Sequence, residues 1–251
     1  MTKFFTLLGR EVKSFFLSPI AYVVMCFILF LTGFDFWWGV SLLNRGPTDA
    51  TVIQAFFSTF FFWITYVLIF PLITMRSFSE EFNLGTIETL MTAPVRDWQV
   101  VITKWLGCVI FYVILWIPTT LYFWAFNFAT RAEAAHAPGA YLGSYLLLFL
   151  MGMFYCSVGC FASVLTKNQI ISAVISLVMI LVLLFAGLLQ FVMLDVSGTA
   201  RDVFGYFSAI EHFQTFSMGV IDTRPIVWYV TMTTLMLVLT YQVFQTRKWK
   251  M

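Results

Sequence analysis

Apolar residues in this chain gather into long stretches separated by short polar interruptions. The stretches are 20–43, 52–75, 101–126, 141–165, 170–194 and 226–244. None alternates apolar and polar residues as the roughly ten-residue strands of a membrane barrel do. A helix needs about 20 apolar residues, rising about 1.5 Å each, to cross about 30 Å of hydrocarbon. All six stretches are near or above that length. The pattern therefore predicts an all-α integral membrane fold with six transmembrane helices.

The first residues follow a different period. Phe5, Leu8, Val12 and Phe15 share one helical face, and Lys3, Thr6, Arg10 and Lys13 share another. This predicts an amphipathic helix over 1–18, with a basic polar side, lying in the membrane interface. Pro19 lets the chain turn from the interface into the first span, and 19–251 forms the six-helix transmembrane domain. The first helix serves as an anchor or also as a contact for a partner.

The polar interruption between the second and third spans, Ser79 to Pro94, is itself built to be a short helix. Glu80 and Glu81 follow the end of span two, and Gly85 permits a sharp change of direction. Thr86 is placed to cap a helix whose Ile87, Leu90 and Met91 share a face, with Glu88 and Thr89 pointing elsewhere. Pro94 stops it. A two-turn helix is marginal alone and needs to dock, either as an interfacial connector or against a soluble partner that pushes on it. Between spans five and six, Phe204, Phe207, Ile210, Phe213 and Phe216 recur at helical steps among Asp202, Ser208, Glu211 and His212. One or two short helices at the opposite interface are predicted there, ended by Gly219 and Pro225.

Composition agrees with a lipid solvent. The chain is 61% hydrophobic and only 10% charged, against about 25% charged in soluble domains. The net charge of +2 is uninformative, and nothing suggests a nucleic-acid partner. The distribution of basic residues orients the chain. With six spans both termini share a side, which also carries Lys3, Arg10, Lys13, Arg76, Arg96, Lys104, Lys167, Arg247, Lys248 and Lys250. The other side has Arg45, Arg131, Arg201 and Arg224. The positive-inside rule then places both termini in the cytoplasm. Cys26, Cys108, Cys156 and Cys160 all fall within predicted spans, so no disulfide framework is implied. The first apolar run is too long for a cleaved signal peptide and is expected to stay attached.

Several intramembrane residues stand out. Asp35 is a carboxylate within span one, hence a candidate functional site. The adjacent Trp37 and Trp38 favour an interfacial position within reach of water or headgroups. Span two is aromatic and carries Pro71, while Pro118 is expected to kink span three. Lys104, in the first turn of span three, is placed to snorkel to the inner surface. In span four, Gly152, Cys156, Gly159 and Ser163 form a stripe of small residues suited to close helix packing. The same span's Met and Cys residues also match a soft-metal path, but no histidine or loop cysteine completes a site.

Catalytic patterns are missing. There is no P-loop, no His-Glu-x-x-His helix and no Gly-x-Ser-x-Gly elbow. His136 and His212 stand apart in sequence. The chain is therefore not expected to be an enzyme or to bind a cofactor or metal itself. Two other classes are kept open: a self-contained secondary transporter or channel, for which Asp35 is the relevant residue, and a polytopic lipid-modifying enzyme using His212, Glu211 and Asp222.

The segment Glu81-x-x-x-Gly85-Thr86-Ile87-Glu88-Thr89-Leu90-Met91-Thr92-Ala93-Pro94-Val95, followed by Lys104 opening a span, resembles the signature of ABC-2 type transporter permeases. Two more features resemble the permease of the gliding-motility-type ABC systems. They are the amphipathic start running into Ser18-Pro19, and Ser208-x-x-x-His212-Phe213-x-x-Phe216-x-x-Gly219-Val220-Ile221-Asp222-Thr223 before the last span. The resemblance implies a half-transporter, an exporter, of a bacterial inner membrane. It would form a homo- or heterodimer and bind two copies of a separate ABC ATPase, on which ATP and Mg would sit. It further implies a cytoplasmic coupling helix from about Asn83 to Met91 seated in the ATPase, with Glu80, Glu81 and Glu88 as polar contacts. Gly85, Thr86, Ile87, Leu90 and Pro94 belong to the same segment. His212, Phe213, Phe216, Gly219 and Asp222 become candidates for an outer gate.

Overall fold

The computed structural model describes residues 2–46, 50–87, 96–130, 138–192 and 205–248, and no strand occurs among them. Six helices are long and apolar enough to cross a membrane: Pro19–Leu43, Phe60–Leu84, Asp97–Ala129, Pro138–Val164, Gln169–Leu189 and Thr223–Arg247. The all-α, six-span architecture expected from the hydropathy pattern is the one observed.

The amphipathic segment forms α1, Thr2–Leu17. Its apolar side packs on the third span, α6 (Asp97–Ala129), where Phe15 stacks on Phe111 at 4.9 Å between ring centroids. Gly107 of α6 faces Glu11, and a Cβ there would lie 3.2 Å from the Glu11 Cβ. Ser18 is extended (φ −87°, ψ 125°) and Pro19 opens α2, Pro19–Leu43. Proline at the first helical position lacks only an amide hydrogen that has no intrahelical partner there.

Helix α2 buries a narrow face made of Ala21, Val24, Ile28, Thr32, Asp35 and Gly39. Phe30 and Trp37 on its other sides are exposed, as suits a lipid-facing helix. Asp35 is thus not at a wet interface, contrary to the expectation drawn from Trp37 and Trp38. Its residue exposure is 1%, and its carboxylate lies against the Phe62 backbone and the Thr59 hydroxyl. Neither carboxylate oxygen reaches hydrogen-bond geometry with a described partner. Helical spacing from Ile28 and Thr32 turns Asp35 inward, and this outweighs the neighbouring tryptophans.

The second apolar run is not one helix. It divides into α3, Val52–Ser58, and α4, Phe60–Thr74, around Thr59 (φ −69°, ψ 142°). The local cause is side-chain competition for a backbone acceptor: Ser58 Oγ and Thr59 Oγ1 both donate to the Ala55 carbonyl, at 3.3 and 2.7 Å. Irregular backbone in such a position requires shielding by protein, and Phe57, Phe62 and Asp35 are all buried around it. Thr51 and Gln54 cap α3 reciprocally. Helix α4 runs through Pro71, and a turn leads from it into α5, Ser79–Leu84.

The centre of the bundle is α7, Pro138–Val164. It contacts α4, α6, α8 (Gln169–Val192), α9 (Ala209–Ser217) and α10 (Thr223–Lys248). Gly152 meets the Tyr112 ring and Gly159 meets Thr74, so closely that an added Cβ would overlap either neighbour. Cys156 is fully buried on the same stripe. Polar groups tie α6 to α7: Tyr112 donates to the Leu148 carbonyl and Trp105 Nε1 to the Met153 carbonyl, both at 3.0 Å. Helix α6 passes through Pro118 as one continuous element. At one end of the bundle lie α1, α5, the start of α6 and the last turns of α7 and α10, where Arg247 donates to the Leu165 carbonyl. Both ends of the described chain therefore share this side, called here the terminal end.

Candidate functional site

Ionic side chains from three elements converge at the terminal end. Helix α1 brings Arg10 and Glu11, the α4–α5 junction brings Arg76, Glu80 and Glu81, and α6 brings Lys104. The Lys104 ammonium is 2.9 Å from Glu81 Oε1 and 3.4 Å from Glu11 Oε2, with its side chain only 2% exposed. It also lies 5.4 Å from the centre of the Phe78 ring. Arg10 reaches Glu11 at 3.0 Å and Glu81 at 3.4 Å. Arg76 donates to Ser18 Oγ at 2.8 Å and approaches Glu80 at 4.0 Å.

Lys104 therefore does not snorkel to the surface as its place in the first turns of span three suggests. Two carboxylates draw it inward, and a buried ammonium is tolerated when it is paired in this way. Sequence reasoning also missed Glu11, an acidic residue on a helix otherwise read as having a basic polar side. Its position, four residues before Phe15 on the face that meets α6, was the available signal.

The backbone around this cluster is held from α7. Ser163 Oγ accepts from the amides of Phe78 and Ser79, at 3.0 and 3.1 Å, and Ser79 Oγ donates to the Met75 carbonyl. Ser163, expected only as a small packing residue, thus satisfies the first amides of α5. Glu80 and Glu81 sit on this short helix and not on a connector before one. Gly85 closes it in the left-handed conformation at φ 70°, where other residues are strained. Asn83, in the last turn of α5, is exposed, and beyond the cap Thr86 is exposed whereas Ile87 is buried. Glu88, Leu90, Met91 and Pro94 lie outside the described residues, as does the helix predicted beyond Ile87.

The expected outer set separates into three roles at the opposite end. His212 and Phe213 point into the bundle from α9. Phe213 stacks on Phe57 of α3 at 4.9 Å and meets Phe62 edge-on. Phe216 is fully buried, and its carbonyl presses on Gly143 of α7. Gly219 takes φ 83° in the turn that follows. Asp222 Oδ1 accepts the Arg224 amide at 2.9 Å, at the start of α10. Of the one or two short helices expected in this region, α9 is described, and 193–204 lies outside the described residues.

His212 Nδ1 is 3.2 Å from the Tyr229 hydroxyl. Burial pushes the imidazole down from 6.5 to about 4, against smaller upward pulls from Glu211 and Asp222. A base whose folded value is depressed binds fewer protons when folded, so stability is full above about pH 6.5 and falls as pH drops toward 4. The shift corresponds to about 3 kcal/mol. Thermal unfolding of detergent-purified protein should show this fall between those pH values, and His212→Gln should flatten it. An identical pH slope in the variant would mean His212 is not its source.

Among the described residues, no group of His, Cys, Asp and Glu forms a metal site. What the terminal end offers is mechanical. The short helix α5 is tied by charge to both α1 and α6, and Thr86 beyond its cap is exposed.

Residues 40–242 match the model of the family described as ABC-2 family transporter protein. The chain belongs to the ABC-2 transporter family. It is a membrane component of an ABC transporter, not itself catalytic, and the family implies an ABC ATPase partner. The matched range includes Arg76, Glu80, Glu81 and Lys104 of the ABC-2 permease but not Arg10 and Glu11 on α1. No match was found among curated proteins.

Proposed function

We propose that this chain is the permease subunit of an ATP-driven exporter of the bacterial inner membrane, with both termini cytoplasmic. It works as a homo- or heterodimer with two copies of a separate ATPase that binds ATP and Mg. Asn83, Gly85 and Thr86, continuing through Ile87 and Glu88 to Leu90, Met91 and Pro94, form the docking segment. Its resemblance to the gliding-motility-type permeases in the segments around Ser18, Gly85 and His212 favours that subgroup. The observation that carries the reading is the exposed turn after α5, directly beyond a helix whose carboxylate is paired to α1 and α6. ATP binding favours the closed ATPase pair and so biases the permease between two arrangements of its helices.

Mild solubilisation should co-purify a soluble ATPase with the chain. Glu88→Lys is expected to abolish that assembly, or to uncouple hydrolysis from transport, while membrane insertion stays intact. Asp35, a buried carboxylate facing the break between α3 and α4, supports a second reading as a self-contained secondary transporter. Transport by the purified chain in liposomes without nucleotide would decide for that reading and against the ATPase-driven one.

A further inference from the structure

A cavity of about 510 Å³ opens beside the ionic cluster, between α1, α2, the α4–α5 junction and α6. Its size is that of a small-molecule site, typically about 300–1,000 Å³. One wall is apolar, with Ile20 and Val24 of α2 facing Leu72 of α4, and the rim is ionic. Lys104 is spent on Glu81 and Glu11 at the back. The charges on the open side are those of Arg10, Arg76 and Glu80, whose side chains are 54%, 28% and 39% exposed, with Arg10 half-exposed while also reaching Glu11 and Glu81. The set is not closed on itself: Arg76 Nε has no hydrogen-bond partner, and Glu80 approaches it only to 4.0 Å.

We propose that this cavity binds a glycerophospholipid from the leaflet on the terminal side, with a headgroup that carries both a phosphate and a primary ammonium. Arg10 and Arg76 hold the phosphate by charge-assisted hydrogen bonds. Glu80 accepts from the ammonium, and one acyl chain lies along Ile20, Val24 and Leu72. Two features select this ligand class. The cavity joins an apolar wall to an ionic rim, as an amphipathic molecule at an interface requires. The rim offers two cations and one carboxylate, so a headgroup with only negative charge leaves Glu80 facing like charge. The inference needs only that the chain spans a membrane, and its failure would leave the ATP-driven reading untouched.

The test is native mass spectrometry of the delipidated full chain, offered an equimolar mixture of phosphatidylethanolamine, phosphatidylcholine and phosphatidylglycerol. Phosphatidylethanolamine is expected to bind about fivefold more than phosphatidylglycerol, the effect of one exposed charge pair, and more than phosphatidylcholine, whose quaternary ammonium has no N–H to donate to Glu80. Glu80→Gln should remove that preference, whereas Arg76→Gln and the surface variant Arg10→Gln should each weaken binding of all three lipids. Ile20→Trp keeps every charge, fills the acyl path at a partly exposed position, and should abolish the adduct. Equal or greater binding of phosphatidylglycerol overturns the headgroup assignment. Retention of the lipid by Ile20→Trp overturns the acyl path. Competition by soluble glycerophosphoethanolamine as strong as by the lipid overturns the lipid as ligand.

Discussion

Replacing Lys104 by Met is expected to destabilise the protein by about 3–5 kcal/mol, the cost of removing one partner from a buried ion pair. The lower part of that range applies, because Glu81 and Glu11 keep 19% and 13% side-chain exposure. Methionine retains the stem of Lys104 and its packing, so the loss is that of the ammonium. Glu81 and Glu11 then converge with Arg10 as their remaining close cation. The structural consequence is release of α1, which is held to α6 by this charge and by Phe15 on Phe111. Two measurements report it: a lower thermal midpoint in detergent, and new tryptic cleavage after Arg10 or Lys13. The triple variant Lys104→Met, Glu11→Gln, Glu81→Gln should regain much of the stability, since the one charge left without its partners, on Arg10, is half-exposed to solvent. If single and triple variants unfold alike, the cluster is not what holds α1.

The second large effect is expected at Gly152. An Ala there would drive its Cβ into the Tyr112 ring. That ring is 1% exposed, stacked on Phe70 at 5.3 Å between centroids and hydrogen-bonded to the Leu148 carbonyl. The stacking and the hydrogen bond hold the ring in place, so the added methyl pushes α6 and α7 apart. Overpacking of this kind costs about 1–3 kcal/mol or more. Tyr112→Leu in the same background should restore part of the loss by vacating the space. Gly9 provides the contrast, because a Cβ at that position of α1 meets nothing within 4 Å. Gly9→Ala should raise stability by up to about 1 kcal/mol through helix propensity alone. Equal thermal midpoints for Gly152→Ala and the parent protein would remove the steric account of the α6–α7 seam.

These two sites mark where sequence reading succeeds and where it stops. The spans were legible because lipid admits only long apolar helices, and the period of Phe5, Leu8, Val12 and Phe15 gave α1. The small-residue stripe was legible too, since close helix approach in lipid depends on it. The partner of Lys104 was not, because the pairing with Glu11 crosses 93 positions of sequence. No local pattern brings those two residues together until α1 folds back onto α6. The division of the second run was hidden for another reason. Its hydropathy is unbroken across Thr59, and only the adjacent hydroxyls of Ser58 and Thr59 hinted at a helix end. Asp35 was misplaced although its spacing from Ile28 and Thr32 was readable, since the tryptophan pair was given more weight. At the candidate site, Glu81 and Gly85 were recognised as important, but the role of Glu81 as a counter-ion to α6 required the fold.

The single extended residue at Thr59 has a mechanical consequence. Helix α3 joins α4 through one extended residue and not through a continuous helical rod, so its direction is set by its own buried contacts, Ile53, Phe56 and Phe57. Phe57 rides on α3 and lies flat on Phe213, which links α3 to α9. The end of the bundle away from the chain termini is thereby joined across two short helices by stacked rings, outside the six long helices themselves.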